Sequence, residues 1–162
     1  MLIAFQINKD KLMSYIDNLI ANCEEAKVAK PTREFVLDAL SQLDKIKTAI
    51  YIIEQVSGDI SETFSLLSTY KATKDRSCPA LNSPSKIMYV GSSTTGVKSR
   101  IKQHIGDGHK GTYALHLKHW FDGDYKITIM EFDRTRDVLQ IIEDDISDRL
   151  SPAFGKKGGN NK

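Results

Sequence analysis

Five polar side chains in this 162-residue chain are of types that bind anions, ligate cations and move protons, and their spacing allows them to meet. Tyr51 stands in "AIYII" and Tyr89 in "KIMYVGSS"; Arg100 and His104 follow, one helical turn apart, in "GVKSRIKQHIG", and Glu143 lies in "IIEDDI". Arginine is a permanent forked cation that grips two oxygens at once. A carboxylate is a hard oxygen ligand for a divalent ion. Imidazole and phenol can hold or pass a proton, although tyrosine's reference pKa of about 10 must fall before it acts as a base at neutral pH.

Regular elements are needed to bring these groups together. Side chains alternate along a strand, so Tyr51 shares a face with Ala49 and Ile53, and Tyr89 with Ile87 and Gly91. If the two strands pair, both phenols lie on one face. In the helix after Tyr89 the stripe Val97, Ile101, Ile105 faces the core, and steps of about 100° per residue put His104 and Arg100 on its half-buried flank. On the last helix Val138, Leu139, Ile142 and Ile146 face inward; Glu143 falls at the margin of that arc, whereas Asp144 and Asp148 point to water. The five groups are therefore expected at one sheet edge. Taken singly, each has a plainer reading: a strand aromatic, a solvated helix face, a member of an acidic run.

The surrounding pattern gives an α+β chain, with a small, mainly antiparallel three-stranded sheet flanked by helices and preceded by an N-terminal helical hairpin. Leu12, Ile16, Leu19 and Ile20 carry helical spacing between Asp10 and Ala29, and "PTREFVLDALSQLDKI" repeats it after a proline suited to a first turn. "TAIYIIE", "KIMYVGSS" and "DYKITIMEF" are the strands. "ISETFSLLSTYKATKD", with Ser61 as N-cap, "GVKSRIKQHIG", "TYALHLKHWF" and "RDVLQIIEDDISDRL" are the other helices, and "RSCPALNSPS" is a loop. The division is a helical extension at 1–47, a domain at 48–155 with an insertion at 55–85, and a basic, glycine-rich tail at 156–162.

A net charge of +2 excludes any argument for nucleic-acid binding from bulk charge, but the charge is unevenly placed. Lys86, Lys98, Arg100, Lys102, Lys110 and Lys118 face a single acid, Asp107, between Lys86 and Trp120, and every histidine lies there too. The two cysteines, Cys23 and Cys78, are far apart and fit reduced thiols in a cytoplasmic protein. A secretory signal and a membrane span are not expected. His116 and His119, with His109, could suggest zinc, but no CxxC pair accompanies them; with Trp120 they are expected to pack or to touch DNA.

With these residues placed, the chain resembles the GIY-YIG nuclease family from about Ile50 onward. "AIY" (Ala49, Ile50, Tyr51) stands for the first triplet, with Tyr70 in "LSTYK" the rival position, and "YVG" (Tyr89, Val90, Gly91) followed by Ser92 and Ser93 for the second. Arg100 and His104 match the family's arginine and histidine, and Glu143 its metal-binding glutamate. The departures are Ala49 for glycine, the long insertion between the triplets, and Gly155 where an asparagine is usual, leaving Asn160 or Asn161 to replace it. The resemblance implies a DNA endonuclease leaving 5′-phosphate and 3′-hydroxyl ends with one Mg²⁺ (or Mn²⁺) on Glu143. It implies Tyr51 as base or water-positioner, Tyr89 as its orienting neighbour, Arg100 as phosphate clamp and His104 as hydrogen-bond partner. Lys98, Lys102 and Lys110, with Ser92 and Ser93, would hold the DNA backbone. A non-catalytic DNA- or RNA-binding module on the same fold is the alternative. The N-terminal helices and the insertion are expected to supply specificity or homodimer contacts.

Overall fold

The computed structural model describes the backbone of residues 2–156 and the side chains of residues 14–156. In chain order the elements are α1 (Leu2–Val28), β1 (Arg33–Val36), a 3-10 turn (Leu40–Leu43), β2 (Ala49–Gln55), α2 (Ile60–Ala72), β3 (Ile87–Ser93), α3 (Val97–Ile105), a second 3-10 turn (Leu117–His119), β4 (Tyr125–Glu131) and α4 (Arg136–Leu150). The strands form one antiparallel sheet of order β1-β4-β2-β3. Tyr51 pairs with Gly91 and Ile53 with Tyr89, so the two tyrosines are diagonal neighbours on one face, as the alternation requires.

That face carries the larger core. Ala49, Tyr51, Ile53, Ile127 and Ile129 pack there with Val97 and Ile101 of α3, Leu67 of α2, and Leu115, Leu117 and Phe154 from the irregular segments. On the opposite face Ile50 and Val90 meet Leu139, Ile142 and Ile146 of α4. Strand β3 is an edge. Its first half is covered by the segment after α4, where Ala153 N–H donates to Ile87 O at 2.8 Å and Phe154 N–H to Met88 O at 3.0 Å. The second half, from Tyr89 to Ser93, is left facing the cleft described below.

Four expectations change. The sheet has four strands, because "REFV" pairs along the free side of β4, from Arg33 opposite Glu131 to Val36 opposite Thr128; the hairpin's second helix is absent. Apolar spacing at Leu40 and Leu43 is satisfied by one short turn instead. "TYALHLKHWF" is helical only over Leu117–His119, since His116 takes a left-handed conformation, φ 51°. The N-cap of α2 is Asp59, whose Oδ1 accepts from Glu62 N–H at 2.8 Å, rather than Ser61. Helix α1 packs on α4 and forms an ion pair, Glu25 to Arg134 at 3.3 Å, while Tyr15, Ile16, Leu19 and Ile20 are exposed. Among the described residues no helix is long and apolar enough to cross a membrane.

Candidate active site

The open part of β3 is the floor of a cleft of about 380 Å³ lined by Tyr51, Tyr89, Arg100 and Glu143 together with Ser92 and Ser93. Because α3 packs on one face of the sheet and α4 on the other, Arg100 and Glu143 reach this space from opposite sides of the edge strand. A bulge where Ile53 pairs with Tyr89 and Glu54 with Ile87 interrupts the alternation, so Met88 and Tyr89 both pack on the α3 face and Ile87 lies on the α4 face, not beside Tyr89 as the sequence suggested. Beyond the bulge Val90 and Ser92 face α4, and the Ser92 hydroxyl donates a short hydrogen bond to Glu143 Oε2. Tyr89 faces α3, and the Tyr51 and Tyr89 rings stack there with centroids 6.3 Å apart.

Gly91 makes this stacking possible. A Cβ at that position would lie 2.5 Å from Tyr51 Oη and 2.8 Å from Tyr89 Cε1, closer than carbon atoms approach. Gly91→Ala is expected to displace both phenols, costing about 1–3 kcal/mol of stability in urea denaturation. An alanine variant as stable as the parent would refute the packing. Gly155 is also required, with φ 106° and a Cβ position 2.9 Å from Tyr89 Cε2. An asparagine there would be strained and would collide with the ring.

His104 lies behind Tyr51 and is wholly buried rather than half-buried, because the Ala114–Leu117 segment closes over it. Leu115 N–H donates to His104 Nδ1 at 3.2 Å, which leaves the ring's proton on Nε2, 3.1 Å from Tyr51 Oη. Burial, then the charge of Arg100 and the neighbouring His116, hold this imidazole neutral, well below its usual pKa. Tyr51 therefore accepts from His104 and keeps its own hydroxyl proton. Its pKa is pushed upward, chiefly by burial and then by Tyr89; Arg100 pulls the other way without prevailing. The base role named from the sequence needs a lower pKa than the protein's own groups give this phenol. Tyr89 is likewise raised by burial against the pull of Arg100.

Arg100 is half-buried and held from behind, with Nη1 donating to Gln103 Oε1 at 2.7 Å and Nη2 to Tyr113 O at 2.8 Å. The long 3.5 Å approach of Nη2 to Tyr89 Oη turns the fork toward the cleft. Glu143 has its carboxyl pKa raised, first by burial; the Ser92 hydrogen bond and Arg100 offset part of this, and Asp144 adds to it. A buried carboxylate incompletely balanced by positive charge favours a cation beside it.

The remaining candidates are distributed differently. Lys98 is paired with Asp44, and Lys102 and Lys110 are exposed; none of the three lines the cleft. The cations that do are Arg136, Lys71 and Lys156, in the cleft and its extension. Arg136 and Gln140 could have been found from sequence, since they lie two turns and one turn before Glu143 on the same stripe of α4. Tyr70 donates to Asp75 at 2.7 Å and is not among the cleft residues, whereas Tyr51 is. Asn160 and Asn161 lie outside the described residues. His116 and His119 each donate through Nε2 to a carbonyl, Thr112 O at 2.8 Å and Gly106 O at 3.1 Å, and Trp120 Nε1 donates to Leu115 O at 2.6 Å. These three residues pack the segment that covers His104. Among the described residues no three His, Cys, Asp or Glu side chains cluster as a metal cage.

Compared with family models, curated proteins and solved structures, the chain finds no match.

Proposed function

We propose that the protein is a metal-dependent endonuclease of the GIY-YIG type that hydrolyses DNA phosphodiester bonds. The observation that carries this reading is the convergence of Tyr51, Tyr89, Arg100 and Glu143 on one cleft, with His104 bonded to Tyr51 behind it. A pure binding module would use the arginine and the lysines but has no need of a desolvated carboxylate facing them.

The donor set suits Mg²⁺ or Mn²⁺. Glu143 offers one hard carboxylate with the Ser92 hydroxyl beside it, and Mg²⁺ characteristically takes one or two carboxylates and fills its shell with water and phosphate oxygens. Such an ion, when bound, supplies positive charge at the phosphate and acidifies water. The protein's own groups do the rest. Arg100 grips the non-bridging oxygens and offsets the charge that gathers on them during attack. Tyr51, fixed by the His104 donor, presents its hydroxyl to orient the attacking water, and Tyr89 beside it limits where that water can sit. Attack forms the new P–O bond as the P–O bond to the 3′ carbon's oxygen breaks; the water's proton leaves to solvent and the departing 3′ oxygen takes one up.

The test is cleavage of plasmid DNA in Mg²⁺, with the nicked product resealed by DNA ligase, which needs 5′-phosphate and 3′-hydroxyl ends. Arg100→Lys keeps the charge and loses the fork, so its rate is expected to fall about 10²-fold while DNA binding changes little. Full activity in that variant, or nicks that ligase cannot close, would overturn the reading.

A further inference from the structure

The insertion between the two tyrosine strands forms the wall of a second chamber. From Tyr89, Arg100 and Glu143 the cleft continues into a cavity of about 720 Å³ bounded by Pro79, Ala80, Tyr113 and Gly155. Its character differs from the serine- and threonine-lined first chamber, because carbon-rich and polar groups share its lining about equally, with Lys71 and Lys156 among the polar ones. The wall is fixed in place. Asn82 Nδ2 donates to Pro152 O and Gly155 O, both at 3.1 Å; Gly155 N–H donates to Ala80 O at 2.9 Å, and Lys71 Nζ to Pro79 O at 2.8 Å. Ala114 N–H donates to Ser77 O at 3.3 Å. A loop so tied is preformed, which is what a binding pocket requires.

Tyr113 is the second, independent feature. It is one of the residues lining this cavity, it is 69% exposed, and its backbone carbonyl accepts from Arg100. An exposed aromatic beside a chamber that is half apolar, lined also by lysines and joined to a phosphate-sized pocket, is the arrangement that stacks an unpaired base while the backbone runs past. A base within a duplex is already stacked on both faces and cannot enter such a space.

Building on the nuclease reading, the geometry points to a substrate with an unpaired nucleotide next to the scissile phosphate, its base held between Tyr113 and the Pro79–Ala80 wall. The insertion therefore selects DNA structure rather than sequence. Lys71 and Lys156 would meet the neighbouring phosphate.

The experiment reads binding apart from cleavage, using the full chain carrying Glu143→Gln and labelled DNA. A duplex with one bulged adenine and the same duplex fully paired are titrated, and then the bulge is replaced by 2-aminopurine to report stacking. The bulged duplex is expected to bind about 10-fold more tightly, with the fluorophore quenched; adding Tyr113→Ala removes that advantage and Tyr113→Trp keeps it, while affinity for the paired duplex stays the same. Equal affinity for the two duplexes, or a Tyr113→Ala loss common to both, would overturn the proposal. If the unsubstituted chain cuts paired DNA in Mg²⁺ without any bulge preference, only the chamber's role fails. If the bulge is preferred but no DNA is cut, only the nuclease reading fails.

Discussion

Replacing Glu143 with glutamine is expected to lower the rate of DNA cleavage at least about 10³-fold while making the protein more stable at neutral pH. The loss follows from removing the one carboxylate of the cleft. The gain follows from linkage. Burial raises the carboxyl pKa in the folded protein above its unfolded value, so the folded state holds that proton more tightly. The favourable contribution is present at acid pH and is lost as pH rises through the raised pKa, and at neutral pH the ionised group costs stability. Glutamine keeps the shape and an oxygen for the Ser92 hydroxyl, but carries no charge. Melting temperatures measured without divalent ions should favour the variant at neutral pH and converge with the parent below the carboxylate range. A variant less stable than the parent at neutral pH would contradict the electrostatic account.

Tyr51→Phe is expected to lower the rate about 10² to 10³-fold and to cost about 1–3 kcal/mol of stability. Tyr51 is 1% exposed, and its oxygen is the acceptor for the His104 Nε2 proton. Removing it strands a buried donor, since Nδ1 is already committed to Leu115 and the imidazole itself is wholly buried. If Tyr51 were only a packing residue, phenylalanine would be tolerated in both respects. Comparing kcat with KM makes the distinction sharper, because loss of an oriented water lowers kcat and leaves DNA binding in place.

The parts of this arrangement that depend on local periodicity were legible in the sequence. Two-residue alternation put Tyr51 and Tyr89 on one face, and they do stack; helical stepping put Glu143 at the margin of α4's buried arc, and it does reach the cleft. What remained hidden depends on contacts far apart in the chain. Strand β1 has apolar residues that suit a helix as well as a strand, and the exposed edge of β4 decides between them. The burial of His104 comes from a segment eleven residues on, whose helical spacing is broken by the left-handed turn at His116. Lys98 looked like a backbone contact because its neighbours are basic, yet its partner is Asp44, in a segment of no obvious relation to it. The second chamber was least visible, because it depends on Asn82 bonding to carbonyls some seventy residues further along.

The account is tested most directly by the conversion of supercoiled plasmid to nicked and linear forms by the unsubstituted chain, followed over time with Mg²⁺ and with a chelator. It predicts steady conversion with the ion and none without it. DNA bound under both conditions and cut under neither would show that the cleft holds a phosphate backbone without breaking it.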